Sequence, residues 1–215
     1  MNDYEAIVEV AIVGNSFVGK SSLIKQFLNG EISPCTPTIA VDIFPFIDSF
    51  EGQKVLVKLN DTAGREQFRA LNSEFFRRAH AIILVYDITS RESFESLNFW
   101  HSTAIESCSP TTKFLLIGNK LDLASSSEAR AVDTEQGSRF AAAKDLFFME
   151  TSASSGENVK KAFDLVLREV EKNALEASRI IAEKERVEMK KRLVILQKAS
   201  SRTSGEFAQS KSCCS

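Results

Sequence analysis

The sequence predicts an α/β fold: a doubly wound, six-stranded, mostly parallel sheet with one antiparallel edge strand, flanked by helices. Three observations predict it. Ala81-Ile82-Ile83-Leu84-Val85-Tyr86 is continuously apolar, as in a strand buried on both faces of a parallel sheet. Strand-like runs alternate with helical ones, and such alternation calls for right-handed crossovers. Val41 to Phe50 carries Pro45, which cannot donate to a ladder, so that strand belongs at an edge.

In chain order, Val8 to Val13 is the first strand, and a helical run follows from Ser22 to Phe27, stopped by Asn29-Gly30. Glu31 to Thr38 holds two prolines and reads as a loop. The edge strand turns at Glu51-Gly52 into the alternating Lys54 to Leu59, giving a hairpin. Asn60-Asp61-Thr62-Ala63-Gly64 interrupts that pattern, and a mostly polar stretch leads to Arg78. After Ala81 to Tyr86, Thr89 with Glu92 resembles a capping box that opens a helix with Phe94, Leu97, Trp100 and Ala104 on its apolar face. Lys113 to Ile117 is the next strand and ends in Gly118-Asn119-Lys120-Leu121-Asp122. Asp133 with Gln136 caps another helix before the short strand Leu146 to Met149. From Glu157 a long helix presents Val159, Phe163, Val166 and Val170 on one face.

Three regions follow: a domain over residues 1–172, a charged helical extension over 173–199, and a tail over 200–215. The extension is either a coiled-coil segment or a solvated continuation of the last helix, because its apolar positions leave a single heptad face across Glu183 to Arg186. The Ser/Lys/Gly/Gln content from Ser200 to Ser212 reads as disorder.

With 43% hydrophobic residues, the 215-residue chain can fill one sizeable core. A net charge of −2 without a basic, aromatic-interleaved stripe gives no reason to expect nucleic acid as a partner. Met1 to Glu9 is acidic and no later run reaches the length of a membrane span, so the expected setting is the cytosol. Four cysteines, two isolated (Cys35, Cys108) and two adjacent (Cys213, Cys214), make no disulfide framework. His80 and His101 are too few for a histidine metal site or a catalytic triad.

Chemistry concentrates where the first strand gives way to the first helix. Gly14-Asn15-Ser16-Phe17-Val18-Gly19-Lys20-Ser21 is a G-x-x-x-x-G-K-S loop, with Ser22 opening the helix behind it. Backbone N–H groups and the positive end of the helix dipole converge there on a volume suited to phosphate. Lys20 can reach the outer phosphates and the Ser21 hydroxyl can ligate Mg²⁺.

Four further elements follow in order at strand ends: Pro37-Thr38-Ile39-Ala40-Val41-Asp42, Asp61-Thr62-Ala63-Gly64, Asn119-Lys120-Leu121-Asp122 and Thr151-Ser152-Ala153. Asp61-Thr62-Ala63-Gly64 alone is an ordinary turn, and Asn119-Lys120-Leu121-Asp122 alone an ordinary strand-end loop. As an ordered set with the phosphate loop, the four elements resemble the Rab family of the Ras superfamily of small GTPases, across roughly residues 9–167. Leu84 to Thr89 and Gly156-Glu157-Asn158-Val159 are similar to Rab segments as well.

The resemblance implies a P-loop NTPase that binds GTP or GDP with Mg²⁺. Asp122 would accept from guanine's ring N–H and exocyclic amino group, a pair adenine does not offer. Asn119 and Lys120 would brace the base, and Ser152, Ala153 and Ser154 would form the loop facing the guanine oxygen. Thr38 would join Ser21 and Asp61 around the metal, Asp61 through water, and Gly64 would donate to the γ-phosphate. Loops so ordered by the third phosphate make a switch.

Departures from the family pattern carry expectations of their own. Arg65 stands where Rab proteins have Gln; it offers five donors and no acceptor, so it stabilises charge without orienting the attacking water. Slow intrinsic hydrolysis is expected, with either a long-lived GTP form or an activating protein that supplies the missing group. Phe17 replaces a small residue, Ile32 replaces the aromatic over guanine, and Ile43 and Asn60 replace members of the aromatic effector patch, whereas Phe75 and Phe76 resemble its third. Ser154 replaces a common lysine.

Cys213-Cys214-Ser215 is similar to the doubly geranylgeranylated Rab ending, and two lipid chains anchor where one is marginal. The resemblance therefore implies the cytoplasmic face of endomembranes with a cytosolic pool, and as partners an exchange factor, a GTPase-activating protein, a GDP-dissociation inhibitor, a Rab escort protein and effectors of vesicle transport. Two other readings compete with it: a GTP-locked binding module, motivated by Arg65 and Phe17, and an ATP-using P-loop kinase, opposed by Asn119 to Asp122.

Overall fold

The structure, a computed structural model, describes residues 3–30, 41–62, 69–125 and 129–209, with side chains described for these except at 69–73, 125 and 193–209. Among the described residues the order is β1 (Ala6–Val13), α1 (Lys20–Asn29), β2 (Asp42–Phe50), β3 (Gln53–Asp61), α2 (Arg69–Arg78), β4 (Ala81–Asp87), α3 (Arg91–Glu95), α4 (Leu97–Ile105), β5 (Lys113–Asn119), α5 (Thr134–Ala143), β6 (Phe147–Glu150) and α6 (Val159–Gln209). The strands form one sheet in the order β2-β3-β1-β4-β5-β6. Only β2 runs antiparallel, so the P-loop NTPase type of doubly wound α/β fold is present with Pro45 on its edge strand.

Local chemistry explains the joints. Glu51 and Gly52 both take positive φ, 51° and 79°, which suits the primed turn of a two-residue hairpin. Gly30 sits at φ 67° and returns its N–H to Gln26 O at 3.0 Å, closing α1. Every residue of β4 is buried, as its unbroken apolar run predicts. Val159, Phe163, Val166 and Val170 are buried along one face of α6, and the Phe163 ring stacks on Phe27 of α1 at 4.4 Å. The capping box of α5 is present, with Gln136 Oε1 accepting from Asp133 N at 3.1 Å.

Several expectations need correction. The cap after β4 is Ser90, whose Oγ accepts from Ser93 N; Thr89 instead donates its hydroxyl to Asp87 Oδ1 at 2.7 Å. The single helix expected over Phe94 to Ala104 is two, joined at Ser96. Asn60 and Asp61 do not end the strand but continue β3, paired in register with Ala11 and Ile12. The polar stretch before Arg78 contains α2, whose one fully buried described side chain, Phe76, is too sparse a pattern to show periodicity.

The chain divides into two compact units between Ala174 and Leu175. In the second, α6 continues to Gln209, and so covers much of the stretch whose composition reads as disorder. Propagating an existing helix adds one hydrogen bond per residue fixed, a far lower barrier than nucleation. No described helix is long and apolar enough to cross a membrane.

Candidate functional site

The loop between β1 and α1 is shaped by backbone conformations that few residues adopt. Gly14 lies at φ 145°, where a Cβ would meet Val85 O at 2.1 Å; Gly19 lies at φ 100°, where a Cβ would meet Asn119 Nδ2 at 2.2 Å. Glycine is therefore required at both positions. Phe17 holds the left-handed region too, at φ 64°, with its side chain 68% exposed. For a bulky residue this conformation costs about 1 kcal/mol or more.

Lys20 opens α1 and is buried, its ammonium donating to Gly14 O and Asn15 O, both at 2.9 Å. Burial lowers its pKa to about 8, against a smaller opposing pull from Asp61. Among the described residues two carbonyls bond this buried cation, an arrangement that suits it to anionic oxygens. Beside it, Ser21 Oγ donates to Asp61 Oδ2 at 2.5 Å, which brings two expected metal ligands together. Among the described residues no three His, Cys, Asp or Glu side chains gather as a metal centre. A hydroxyl and one carboxylate fit Mg²⁺, which takes few protein oxygens and completes its shell with phosphate and water.

Asn119, at the end of β5 and 1% exposed, ties three loops together. Its Nδ2 donates to Val18 O at 2.8 Å in the phosphate loop, and its Oδ1 accepts from Ala153 N at 3.0 Å and Thr151 Oγ1 at 3.3 Å after β6. Ser152 Oγ donates to Asp122 Oδ1 at 2.6 Å, aiming an exposed carboxylate on the 3-10 turn Leu121–Ser125. Lys120, at φ 73°, pairs with Asp87 Oδ2 at 2.6 Å. Ser154 is exposed. All these groups lie where β1, β3, β5 and β6 end, as ligand sites of parallel sheets do.

Residues 9–172 match the sequence profile of the Ras family. The chain is 39% identical over 170 residues to the Ras-related protein RABA5b of Arabidopsis thaliana, covering 79% of this chain and 77% of that one. It is 38% identical over 170 residues to the human Ras-related protein Rab-30, covering 78% and 82%, and 36% identical over 176 residues to Rab-26 of Rattus norvegicus, covering 81% and 67%. The chain belongs to the Rab family of Ras-superfamily small GTPases. It is a GTP phosphohydrolase by that membership.

The expected residues Thr38, Gly64, Arg65, Cys213 and Cys214 lie outside the described residues of this GTPase, as does Ile32. Of the others, Gly14 to Gly19 lie on the β1–α1 loop, Lys20 to Ser22 in the first turn of α1, Asp61 and Asn119 at the ends of β3 and β5, and Lys120, Asp122 and Ser152 to Ser154 on the segments that follow β5 and β6. Sequence reasoning missed what holds the phosphate loop from behind. Asn15 Oδ1 accepts from Trp100 Nε1 at 2.8 Å and its Nδ2 donates to Ser96 Oγ at 3.0 Å. The Trp100 signal was visible only as an apolar position on a helix face.

Proposed function

We propose that this Rab-family GTPase is a GDP/GTP-cycling switch that recruits effectors to the cytoplasmic face of endomembranes during vesicle transport. The observation that carries the reading is the Asn119 node, which joins the phosphate loop to both base loops and leaves Asp122 aimed by Ser152. A carboxylate there accepts guanine's two N–H groups and repels the acceptor edge of adenine.

In the reaction, water attacks the γ-phosphate while Lys20 and the loop N–H groups from Asn15 to Ser22 bear the charge that develops on the phosphate oxygens. Thr38 and Gly64 join them at the γ-phosphate, and their contact with it orders the loops that effectors read. Ser21 and Thr38, with Asp61 acting through water, would hold Mg²⁺, which would supply charge neutralisation at the phosphates. Arg65 stabilises charge but does not accept a hydrogen bond from the attacking water, so intrinsic turnover is slow and the GTP state persistent. A second reading, a GTP-locked binding module, is favoured by that same arginine.

Geranylgeranyl groups on Cys213 and Cys214 would anchor the chain, with a cytosolic pool held by a GDP-dissociation inhibitor after delivery by an escort protein. An exchange factor, an activating protein and effectors complete the set of partners.

The test is single-turnover hydrolysis of preloaded GTP by the wild type and by Arg65→Gln. A wild-type rate below roughly 10⁻⁴ per second, rising at least tenfold in the variant, supports the slow switch. Equal rates near that value make Arg65 an ordinary substitution and the protein a timed switch.

A further inference from the structure

The sole tryptophan of the chain is 1% exposed, yet its one polar atom is spent on the phosphate loop. Trp100 lies in the first turn of α4, just past the Ser96 joint with α3. Its indole N–H reaches Asn15 Oδ1 at 2.8 Å, and the other end of the same amide donates to Ser96 Oγ at 3.0 Å. Ser96 Oγ is itself fixed, donating to Glu92 O at 2.9 Å. Both ends of the Asn15 amide are thus held, which leaves its side chain one orientation.

Asn15 in turn supplies a main-chain carbonyl that accepts from Lys20 Nζ at 2.9 Å, beside Gly14 O at 2.9 Å. Its neighbours give the loop little other restraint on that side, since Ser16 and Phe17 are exposed and Phe17 sits in a strained left-handed conformation. The loop therefore needs a brace from outside. We propose that Trp100, acting through Asn15, is a positioning residue for Lys20, so that the α3–α4 joint sets how tightly the phosphate loop grips a nucleotide.

The proposal rests on the phosphate-binding reading and adds a control point remote from the nucleotide. Trp100 touches no phosphate. It acts by keeping the Asn15 carbonyl turned toward the ammonium, so a surface event that shifts α4 is expected to change nucleotide release.

The test uses the full chain loaded with fluorescently labelled GDP. Trp100→Phe keeps an aromatic ring and removes the donor; Asn15→Ala removes the acceptor from an accessible loop and stays informative if the core variant fails to fold. Each is expected to release labelled GDP about tenfold faster, the effect of losing roughly one partly buried hydrogen bond. The double variant is expected to release it no faster than either single one, because both changes break the same link. Leu97→Ala, equally buried on α4 but apolar, is expected to lower thermal stability more while leaving release within about twofold. Trp100 emission should also shift when nucleotide is removed from the wild type and stay constant in Asn15→Ala.

Wild-type release rates in Trp100→Phe and Asn15→Ala, or effects that multiply in the double variant, would overturn the proposal. Acceleration by Leu97→Ala equal to that of Trp100→Phe would overturn it as well, by reducing Trp100 to packing. A wild type that retains no labelled GDP at all would instead sink the phosphate-binding reading beneath it.

Discussion

The two halves of the proposed nucleotide cradle are built by different means. On the phosphate side the shaping is done by backbone: Gly14, Phe17 and Gly19 take positive φ, and Lys20 is caged by main-chain carbonyls. On the base side it is done by side chains: Asn119 bonds to three loop groups, Ser152 aims Asp122, and Lys120 pairs with Asp87. A backbone nest recognises any phosphate, whereas a side-chain array distinguishes one base from another. Tolerance to substitution should differ accordingly, with the phosphate half sensitive to conformation and charge and the base half sensitive to hydrogen-bond identity.

The sharpest way to break that contrast is at its two anchors. Lys20→Ala leaves no cation in the nest and should lower GTP affinity at least a hundredfold by calorimetric titration, since bonds from charged groups contribute about 1.5–3 kcal/mol each. Asn119→Ala strands Val18 O and Ala153 N in buried positions and should cost about 3 kcal/mol of unfolding free energy in denaturant titration. If Asn119→Ala were neutral for stability, the base half would not depend on side chains as described.

Smaller changes refine it. Ser152→Ala leaves Asp122 in place but removes the hydrogen bond from Ser152, and a drop of about tenfold in GDP affinity, with the phosphate contacts intact, is expected in competition binding. Phe17→Gly removes left-handed strain at an exposed site and should raise the melting temperature by a few degrees, corresponding to roughly 1 kcal/mol. A fall instead would mean that the phenyl ring makes contacts worth more than the strain.

Far from the cradle, Glu171 on α6 gives a pH prediction. It is 1% exposed, with burial first and then the neighbouring Asp48 carboxylate of β2 raising its pKa from 4.5 to about 7; Asp164 adds to the rise and Arg168 opposes it. The folded state therefore binds the proton more tightly than the unfolded chain. The stability this contributes is complete below about pH 4.5 and is lost as pH rises toward 7. His80 and His101, both held below the usual histidine range mainly by burial, act in the opposite sense on the acid side. The wild type compared with Glu171→Gln isolates the carboxyl group: the difference in melting temperature should shrink toward zero at low pH and favour the variant at pH 8.

Much of this was legible in the sequence for physical reasons. The parallel core announces itself because strands buried on both faces lose alternation, as in β4, and the edge strand because Pro45 cannot sit elsewhere. The phosphate loop is legible because its demands fall on residue types, glycine and lysine, that nothing else replaces. Less legible were α2, with little apolar periodicity, and the break at Ser96, which no proline or glycine marks. The Trp100 to Asn15 link was invisible because an indole on an apolar face shows its burial in the pattern but not the partner of its one N–H. Asn119 was expected to brace a base, while its grip on Val18 across the sheet needed the fold to be seen.

The central claim is that side chains at the ends of β5 and β6 select guanine while a backbone nest holds phosphate. Titration of the nucleotide-free protein with GDP and with ADP tests it most directly. The account predicts GDP binding at least a thousandfold tighter than ADP, because adenine does not offer the Asp122 carboxylate the pair of N–H donors that guanine does. Equal affinities for the two nucleotides would contradict it, leaving a phosphate-binding loop with no base recognition behind it.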